Sequence, residues 1–425
     1  MLLTQALLYI LIVSMATYDE KSRKIGPTPF GSNNPVPGTL ASLVALIRSS
    51  EARSRADLVR LTGLSRSSIT ERVDSLISVG FITESGVTES TGGRRAAALS
   101  ISGELGLVLA ADFGATHCRW AIARLTGEIF FEEELEIDIS QGADVVLNWI
   151  VQKFIAQLKQ LHLNVSDVKG IGLGVPGPVE FATGRVISPP IMPGWHDVSI
   201  PKILFNHFKF AVVVVDNDVN MMAIGEYVNS WSKETSNFLM IKHSTGIGAG
   251  IIVGGRILHG ELGAAGDLGH VAIESEVDYQ CACGNTNCIE AVAGGLAIAK
   301  KLQDLGLDVK SARDVADAAL EGNVKVTALL REAGRHLGSV LSTLVNILNP
   351  GAIVISGSIA ASGDALFAGI REIVYSRSTS LATRDLKIVP SALGARSGVV
   401  GAVHAVLDEL FSEPSIFSAL EERSA

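Results

Sequence analysis

The chain has 425 residues, 47% of them hydrophobic, with 43 glycines and a formal net charge of −9. That is enough apolar material for a large core and two or three domains. Four cysteines give no disulfide framework, and the acidic balance excludes a chain that coats nucleic acid along its whole length. Charge is uneven: residues 38–101 carry eight Arg against six Asp or Glu, whereas residues 102–425 carry 24 basic and 36 acidic side chains. Any DNA contact is therefore expected in the small N-terminal piece.

The first thirteen residues, MLLTQALLYILIV, are apolar but lack a basic flank and a clear small-residue cleavage site, and are too short to span a bilayer. A disordered leader is expected over residues 1–37, with Met15 as a possible true start and a weak anchor as the alternative, and a cytoplasmic protein. Pro35, Pro37 and Gly38 close the leader.

Apolar residues recur at helical spacing from Leu40 to Ile47. A second short helix is predicted over SRADLVRLTG, broken by Gly63, and a third over SRSSITERVDSLISVG, capped by Ser65. In the third, Ile69, Val73, Leu76 and Ile77 make a buried stripe, while Arg66, Ser67, Ser68, Thr70 and Arg72 lie opposite. Small hydroxyls and arginines near a helix N-terminus suit the major groove. Two alternating runs follow, joined by a tip that ends in Gly92, Gly93, Arg94 and Arg95, the pattern of a wing. The order helix, helix, hairpin and Arg tip favours an α+β winged helix-turn-helix DNA-binding domain over residues 38–103, rather than a helical domain with a solvated basic face.

After it a buried run reaches Asp112 and turns through Gly114 and Thr116 into a second strand. Such a hairpin can offer backbone N–H groups and a hydroxyl to phosphate, and its acid can hold magnesium through water. Cys118, alone in an alternating run, reads as a small buried thiol. The plan recurs at NFLMIKHSTGIGAGIIVGGRILHG, with Thr245, Gly246, Gly248 and Gly250 in the turn, and a third loop places Gly357 and Ser358 after another strand. Two phosphate-type hairpins more than a hundred residues apart suggest two similar lobes around one cleft: an α/β, actin-like ATPase (ribonuclease-H-like) body.

Between the hairpins, AVVVVDNDVN ends a buried strand on Asp216, Asn217, Asp218 and Asn220. Ligands sit at strand ends in open α/β sheets, and Asp218 is suited to take a proton from a substrate hydroxyl. A helix-cap role fits Asn220. The remaining three cysteines crowd into CACGNTNCIE, Cys281 to Glu290, where redox chemistry and metal binding both come to mind.

The motifs DFGATH, GVPGPV, DNDVN, STGIGAG, GAAGDLGH, CACGNTNCIE and GARSGVVGAVHAVLDEL together resemble the ROK family of sugar kinases, open reading frames and sugar-responsive repressors. The resemblance runs from Gly38 to about Leu410, and the N-terminal winged helix resembles the repressor branch. It implies a structural zinc on His270, Cys281, Cys283 and Cys288; a strained disulfide between residues i and i+2 is the weaker reading. It further implies a sugar pocket of Gly174, Asn217, Asp218, Asp267, His270 and Glu290, with the His270 nitrogen that is not on zinc facing the sugar. Mg-ATP would lie on Asp112, Gly114, Thr116, Thr245, Gly246, Gly357 and Ser358. The other eight histidines are read as structural.

Four positions depart from the family pattern. Ser244 replaces the first glycine of Gly-Thr-Gly, Asp267 a glutamate, Asn287 a glycine of the zinc loop, and Ser358 a second glycine. Asn287 tolerates the left-handed backbone a tight loop needs. The expected layout is a first lobe over residues 104–224 plus 395–412, a second over 225–394 with the zinc site, and a tail over 413–425. Expected partners are operator DNA and a sugar or sugar phosphate, with a homodimer or homotetramer and no membrane contact. The expected function is a sugar-responsive transcriptional regulator. An ATP-dependent hexose or N-acetylhexosamine kinase with Asp218 as base is the alternative, and one chain doing both is a third.

Overall fold

Hydroxyl side chains start each of the first three helices. Thr39, Ser54 and Ser65 accept the N–H groups of Ser42, Asp57 and Ser68, opening α1 (Leu40–Arg48), α2 (Arg55–Thr62) and α3 (Arg66–Ser78). Gly63, at φ +73°, ends α2 in the left-handed conformation that a Cβ disfavours. The strands β1 (Ile82–Ser85) and β2 (Ala98–Ile101) pair antiparallel with Ile82 opposite Ile101. Arg55 ties α2 to α3 and β1 by ion pairs of 2.7 Å to both Asp74 and Glu84. This computed structural model describes residues 38–85, 97–103, 106–189, 191–209 and 211–424. The leader and the wing tip with Arg94 and Arg95 lie outside the described residues. Among those described, no helix is long and apolar enough to cross a membrane.

The body repeats one sheet plan twice. In the first sheet β3 (Leu107–Phe113), β4 (His117–Arg124) and β5 (Ile129–Glu136) form an antiparallel meander. After α4 (Ala143–Gln160), β6 (Val168–Val175) joins β3 in parallel. The chain then runs through a small sheet of β7 (Val179–Glu180), β8 (Arg185–Val186) and β9 (Val198–Ser199), and through α5 (Ile200–Phe205). The strand β10 (Val212–Asn217) joins β6 in parallel, giving the order β10-β6-β3-β4-β5.

The helix α6 (Asp218–Glu226) leads to the second sheet, where β11 (Phe238–His243), β12 (Ile247–Val253) and β13 (Arg256–Ile257) again form a meander. A loop with three cysteines and the helices α7 (Ile289–Ala293), α8 (Gly295–Asp304), α9 (Ala312–Leu320) and α10 (Val324–Leu348) follow. Next, β14 (Ala352–Ser356) joins β11 in parallel. After α11 (Asp364–Arg377) and α12 (Ser380–Thr383), β15 (Lys387–Pro390) joins β14, giving the order β13-β12-β11-β14-β15. The same order, with the same senses, in both lobes is the duplicated actin-like architecture, so the expected fold class holds. Buried on both faces, β14 reads as the continuous apolar run AIVIS.

The chain returns to the first lobe with α13 (Ser397–Leu410), which lies directly on β6. Alternate residues of β6 are Gly170, Gly172 and Gly174, so from residue 170 to 174 one face of that strand has no side chains. A Cβ at 170 would sit 2.2 Å from Val406 Cγ1, and one at 172 would sit 2.3 Å from the Ala402 carbonyl oxygen. The helix α6 packs against α13 by the same device: a Cβ on Gly225 would meet the Ser397 carbonyl at 2.1 Å, and one on Gly401 the Met221 carbonyl at 1.7 Å.

Residues 413–425, expected as a tail, instead provide α14 (Glu413–Ser424). Its Glu413 carboxylate accepts the Ala41 N–H at 2.8 Å, and Ile416 is fully buried. Val403, Leu407, Phe411 and Ile416 share one hydrophobic core with Leu40, Leu43, Ile69 and Leu76 of the winged helix. Each such buried side chain contributes roughly 1.5–3 kcal/mol, so the N-terminal domain is anchored to the body through α13 and α14.

Candidate functional site

The C-terminal end of β11 is the meeting point of the cleft. Lys242 on β11 forms an ion pair with Asp218 of the first lobe. The turn after β11 brings Gly246 against Glu290, whose Oε2 accepts the Ile247 N–H at 3.0 Å. A Cβ at 246 would fall 2.0 Å from that oxygen. Ser244 and Ser358 join the second hairpin to the third loop, Oγ to Oγ at 3.0 Å. Gly357, at φ +104°, backs onto His243, where a Cβ would strike the His243 carbonyl at 2.4 Å.

Opposite, in the first lobe, Asp112 and Asp218 flank Gly174. A Cβ at 174 would lie 2.7 Å from Asp112 Oδ1 and 3.4 Å from the Asp218 Cα. Gly398, near the N-terminus of α13, comes as close to Asp112 on its other side, with a Cβ position 2.0 Å from Oδ2. Burial, with the Asp218 charge beside it, pushes the Asp112 carboxyl up to about 7. Asp112 Oδ1 is buried without a hydrogen-bond partner, an orphan acceptor of the kind a ligand or hydrated cation satisfies. Thr116 lies near the tip of the same hairpin, and the His117 ring covers Gly114, with Cε1 2.3 Å from where its Cβ would be.

Asn217 is the N-cap of α6: its Oδ1 accepts the Val219 N–H at 2.9 Å, and its Nδ2 donates to the Gly177 carbonyl at 3.1 Å. Asn220, expected as the cap, instead donates to Asp216 Oδ1 at 2.8 Å. The difference is one of geometry: Asn217 precedes the first helical turn, whereas Asn220 is already inside it. Asp216 is held on its other oxygen by His259 Nε2 at 2.7 Å, and the His259 ring stacks on Phe181 at 3.8 Å. His259 and Phe181 come from different lobes, so this is a second bridge across the cleft. Sequence reasoning missed it, along with Lys242, because the partners are far apart in the chain. The alternating acids and amides of DNDVN were the only local hint.

His270 and the three cysteines form a Cys3His cluster whose ligand atoms all lie within 4.8 Å of one another. His270 Nδ1 faces Cys281 Sγ at 3.5 Å, and Cys283 Sγ lies 3.7 Å from Cys288 Sγ. Zn–S bonds of about 2.3 Å in a tetrahedron put sulfur atoms roughly 3.8 Å apart, so the donor set fits zinc. Without a cation, burial and then its thiol neighbours push Cys288 up to about 12, whereas a hydrogen bond from the Asn285 backbone pulls Cys283 down to about 7. The other imidazole nitrogen, Nε2, faces Asp267 at 3.9 Å. Asn287 takes φ +58° and closes the loop, accepting the Tyr279 N–H at 2.8 Å through its side chain. That left-handed residue is as expected from the sequence.

On the winged helix, Arg66, Ser67 and Thr70 are exposed along α3, whereas Ser68 is half-buried beside the cap, its Oγ 3.0 Å from Ser65 Oγ. Arg72 is partly buried, with its guanidinium beside Gly38. Of the residues expected to face DNA there, Arg66 and Thr70 are exposed along α3, and so is Ser67, whose Oγ lies 2.9 Å from Ser65 Oγ.

The chain is 28% identical to the xylose repressor of Caldicellulosiruptor bescii, over 85% of its own length and 93% of the repressor. It is 32% identical to the glucokinase of Halalkalibacterium halodurans over 68% of its length and 92% of that enzyme. The crystal structure of a ROK family transcriptional regulator, a homologue of the Escherichia coli Mlc protein, superposes with a TM-score of 0.78 at 25% identity. That superposition covers 90% of this chain and 98% of the other. The ROK family pattern matches residues 108–409, and the chain belongs to the ROK family.

Proposed function

We propose that the chain is a sugar-responsive transcriptional repressor that binds operator DNA through α3 and the wing and a sugar in the cleft between its lobes. The observation that carries this reading is the continuous core joining the winged helix to α13, whose N-terminal turn touches the Asp112 site. Arg48 of α1 pairs with Asp408 of α13 at 2.7 Å, and Phe81 meets Phe411 edge-on at 5.4 Å. Sugar on Asp218, Asp267, His270 and Glu290, with Gly174 and Asn217 shaping the floor, changes the lobe angle. The glycine crossing of α6 and α13 carries that change to the DNA-binding helices. A ligand shifts this balance only by its differential affinity for the two states. Zinc on the Cys3His cluster fixes His270 and Glu290, and a homodimer in the cytoplasm presents two α3 helices to a palindromic operator.

The extent of similarity supports this reading: the repressor relative matches over 85% of the chain, the glucokinase relative over 68%. The test is retention of DNA from upstream of the chain's own gene, with and without sugars. Absence of sequence-selective, salt-sensitive binding sinks it. A sugar kinase using Asp218 as base on Mg-ATP held by Asp112, Gly114, Thr116, Thr245, Gly246, Gly357 and Ser358 is the second reading. The orphan Asp112 oxygen favours it, and sugar-dependent ADP release decides it.

A further inference from the structure

The cleft resembles a phosphoryl-transfer site on its first-lobe side, with two carboxylates close together and one oxygen unpartnered. Such sites balance their charge with a divalent cation that also holds the nucleotide. Here an ammonium is already present. Lys242 reaches from β11 to Asp218, with its side chain about a quarter exposed. Burial alone would lower its pKa, but Asp218 and Asp112 more than offset that and the ammonium is favoured. The neighbouring nucleotide-type loops are also occupied by side chains of the chain itself. The His117 ring covers Gly114, and the Ser244 and Ser358 hydroxyls close on each other between the second hairpin and the third loop. None of these is a surface accident, since three separate segments converge on one cleft.

We propose that Lys242 is the resident cation of the cleft. Its ammonium stands where a magnesium ion would otherwise balance Asp112 and Asp218, so the chain takes an unphosphorylated sugar without Mg-nucleotide and does not phosphorylate it. A sugar hydroxyl suits this pair: its oxygen accepts from the Lys242 ammonium while its proton is donated to Asp218, and no proton need be removed. The inference rests on the reading of Asp218 as part of the sugar site. It goes beyond that reading by naming the group that silences transfer and the protonic state of the ligand.

The test uses the full chain, the neutral variants Lys242→Thr and Lys242→Met, and the cationic variant Lys242→Arg. For the wild type, sugar alone raises the melting temperature and magnesium makes no difference. Mg-AMPPNP gives no shift, and no sugar-dependent ADP is released. In Lys242→Thr, Mg-AMPPNP binds at least about tenfold more tightly than to the wild type and the binding requires magnesium. Lys242→Arg, which keeps the cation, stays insensitive to magnesium. Sugar-dependent ADP release by the wild type overturns the proposal, and its loss in Lys242→Thr would make Lys242 a residue that assists transfer. Equal Mg-AMPPNP shifts in wild type and both neutral variants also overturn it. The wild-type arms need no variant, so a folding failure does not leave the question open. Operator retention on the same preparations separates the two claims. Loss of sugar-dependent release with the magnesium results intact counts against the repressor reading alone.

Discussion

Gly401→Ala probes the joint between the cleft and the DNA-binding domain. A Cβ there would lie 1.7 Å from the Met221 carbonyl oxygen, 2.6 Å from the Met221 carbonyl carbon and 2.9 Å from the Gly225 nitrogen. All three are backbone atoms, so no rotamer change relieves the clash. The helices α6 and α13 must separate by roughly 1.5 Å before the contact reaches van der Waals range. Overpacking of this kind costs about 1–3 kcal/mol, against which alanine gains up to ~1 kcal/mol of helix propensity. The net loss, spread over the unfolding entropy of a chain this long, lowers the melting temperature by about 1–3 °C, read by circular dichroism. Because α6 begins at Asp218 and α13 ends beside Arg48, the same shift weakens the response of operator binding to sugar more than operator binding itself. Gly103→Ala is the control: its nearest neighbour would be 3.6 Å away, an ordinary contact, and the change should stay within about 0.5 kcal/mol. A Gly401→Ala protein with unchanged melting and an unchanged sugar response refutes the idea that this crossing is tight and that it transmits.

Further predictions follow from single residues. Cys288→Ser, or a chelator on the wild type, removes zinc measured by mass spectrometry, lowers the melting temperature and abolishes sugar-induced stabilisation; metal-free protein that still responds to sugar contradicts the cluster's role. Asp112→Asn flattens the pH dependence of stability. Its folded-state carboxyl, near 7, lies above the ordinary aspartate value of 3.8, so the folded form holds the proton more tightly. That contribution is full below about pH 4, is lost as pH rises to about 7, and is then level. The wild type therefore becomes less stable than Asp112→Asn by as much as ~4 kcal/mol at pH 8, while the two converge near pH 4, measured by urea unfolding. Arg66→Ala weakens specific operator binding by about 1–3 kcal/mol, whereas binding to unrelated DNA falls less; equal losses on both make Arg66 a phosphate contact.

Local signals made the winged helix legible in the sequence. Ser54, Ser65 and Gly63 declare helix ends within a few residues, and Ile69, Val73 and Leu76 declare the buried face. The two lobes were legible because each hairpin repeats a strand, a Gly/Thr turn and a strand. The thiol spacing marked a cysteine cluster, and its reading as a zinc site with His270 entered through the family resemblance. Contacts between lobes were not legible. Lys242 follows the apolar run FLMI with nothing local to mark a partner, and Asp218, 24 positions earlier, comes beside it only in the fold. His259 and Asp216 meet over 43 positions for the same reason. The helix α14 was hidden because its apolar residues are few, and Ile416 gains its partners only when the winged helix docks. The close packing of α13 did leave a trace, the alternate glycines of KGIGLGV, whose meaning depends on knowing which helix returns to cover them.

The most direct test of the central claim is fluorescence anisotropy of labelled DNA from upstream of the chain's own gene, titrated with purified protein alone and with xylose, glucose or N-acetylglucosamine. The account predicts sequence-selective binding that one sugar weakens at least about tenfold, a difference of 1.4 kcal/mol between the two states. It also predicts that Glu290→Gln abolishes this sugar effect while leaving binding without sugar intact. Selective binding that no sugar alters, or a sugar effect that survives in Glu290→Gln at full size, contradicts it.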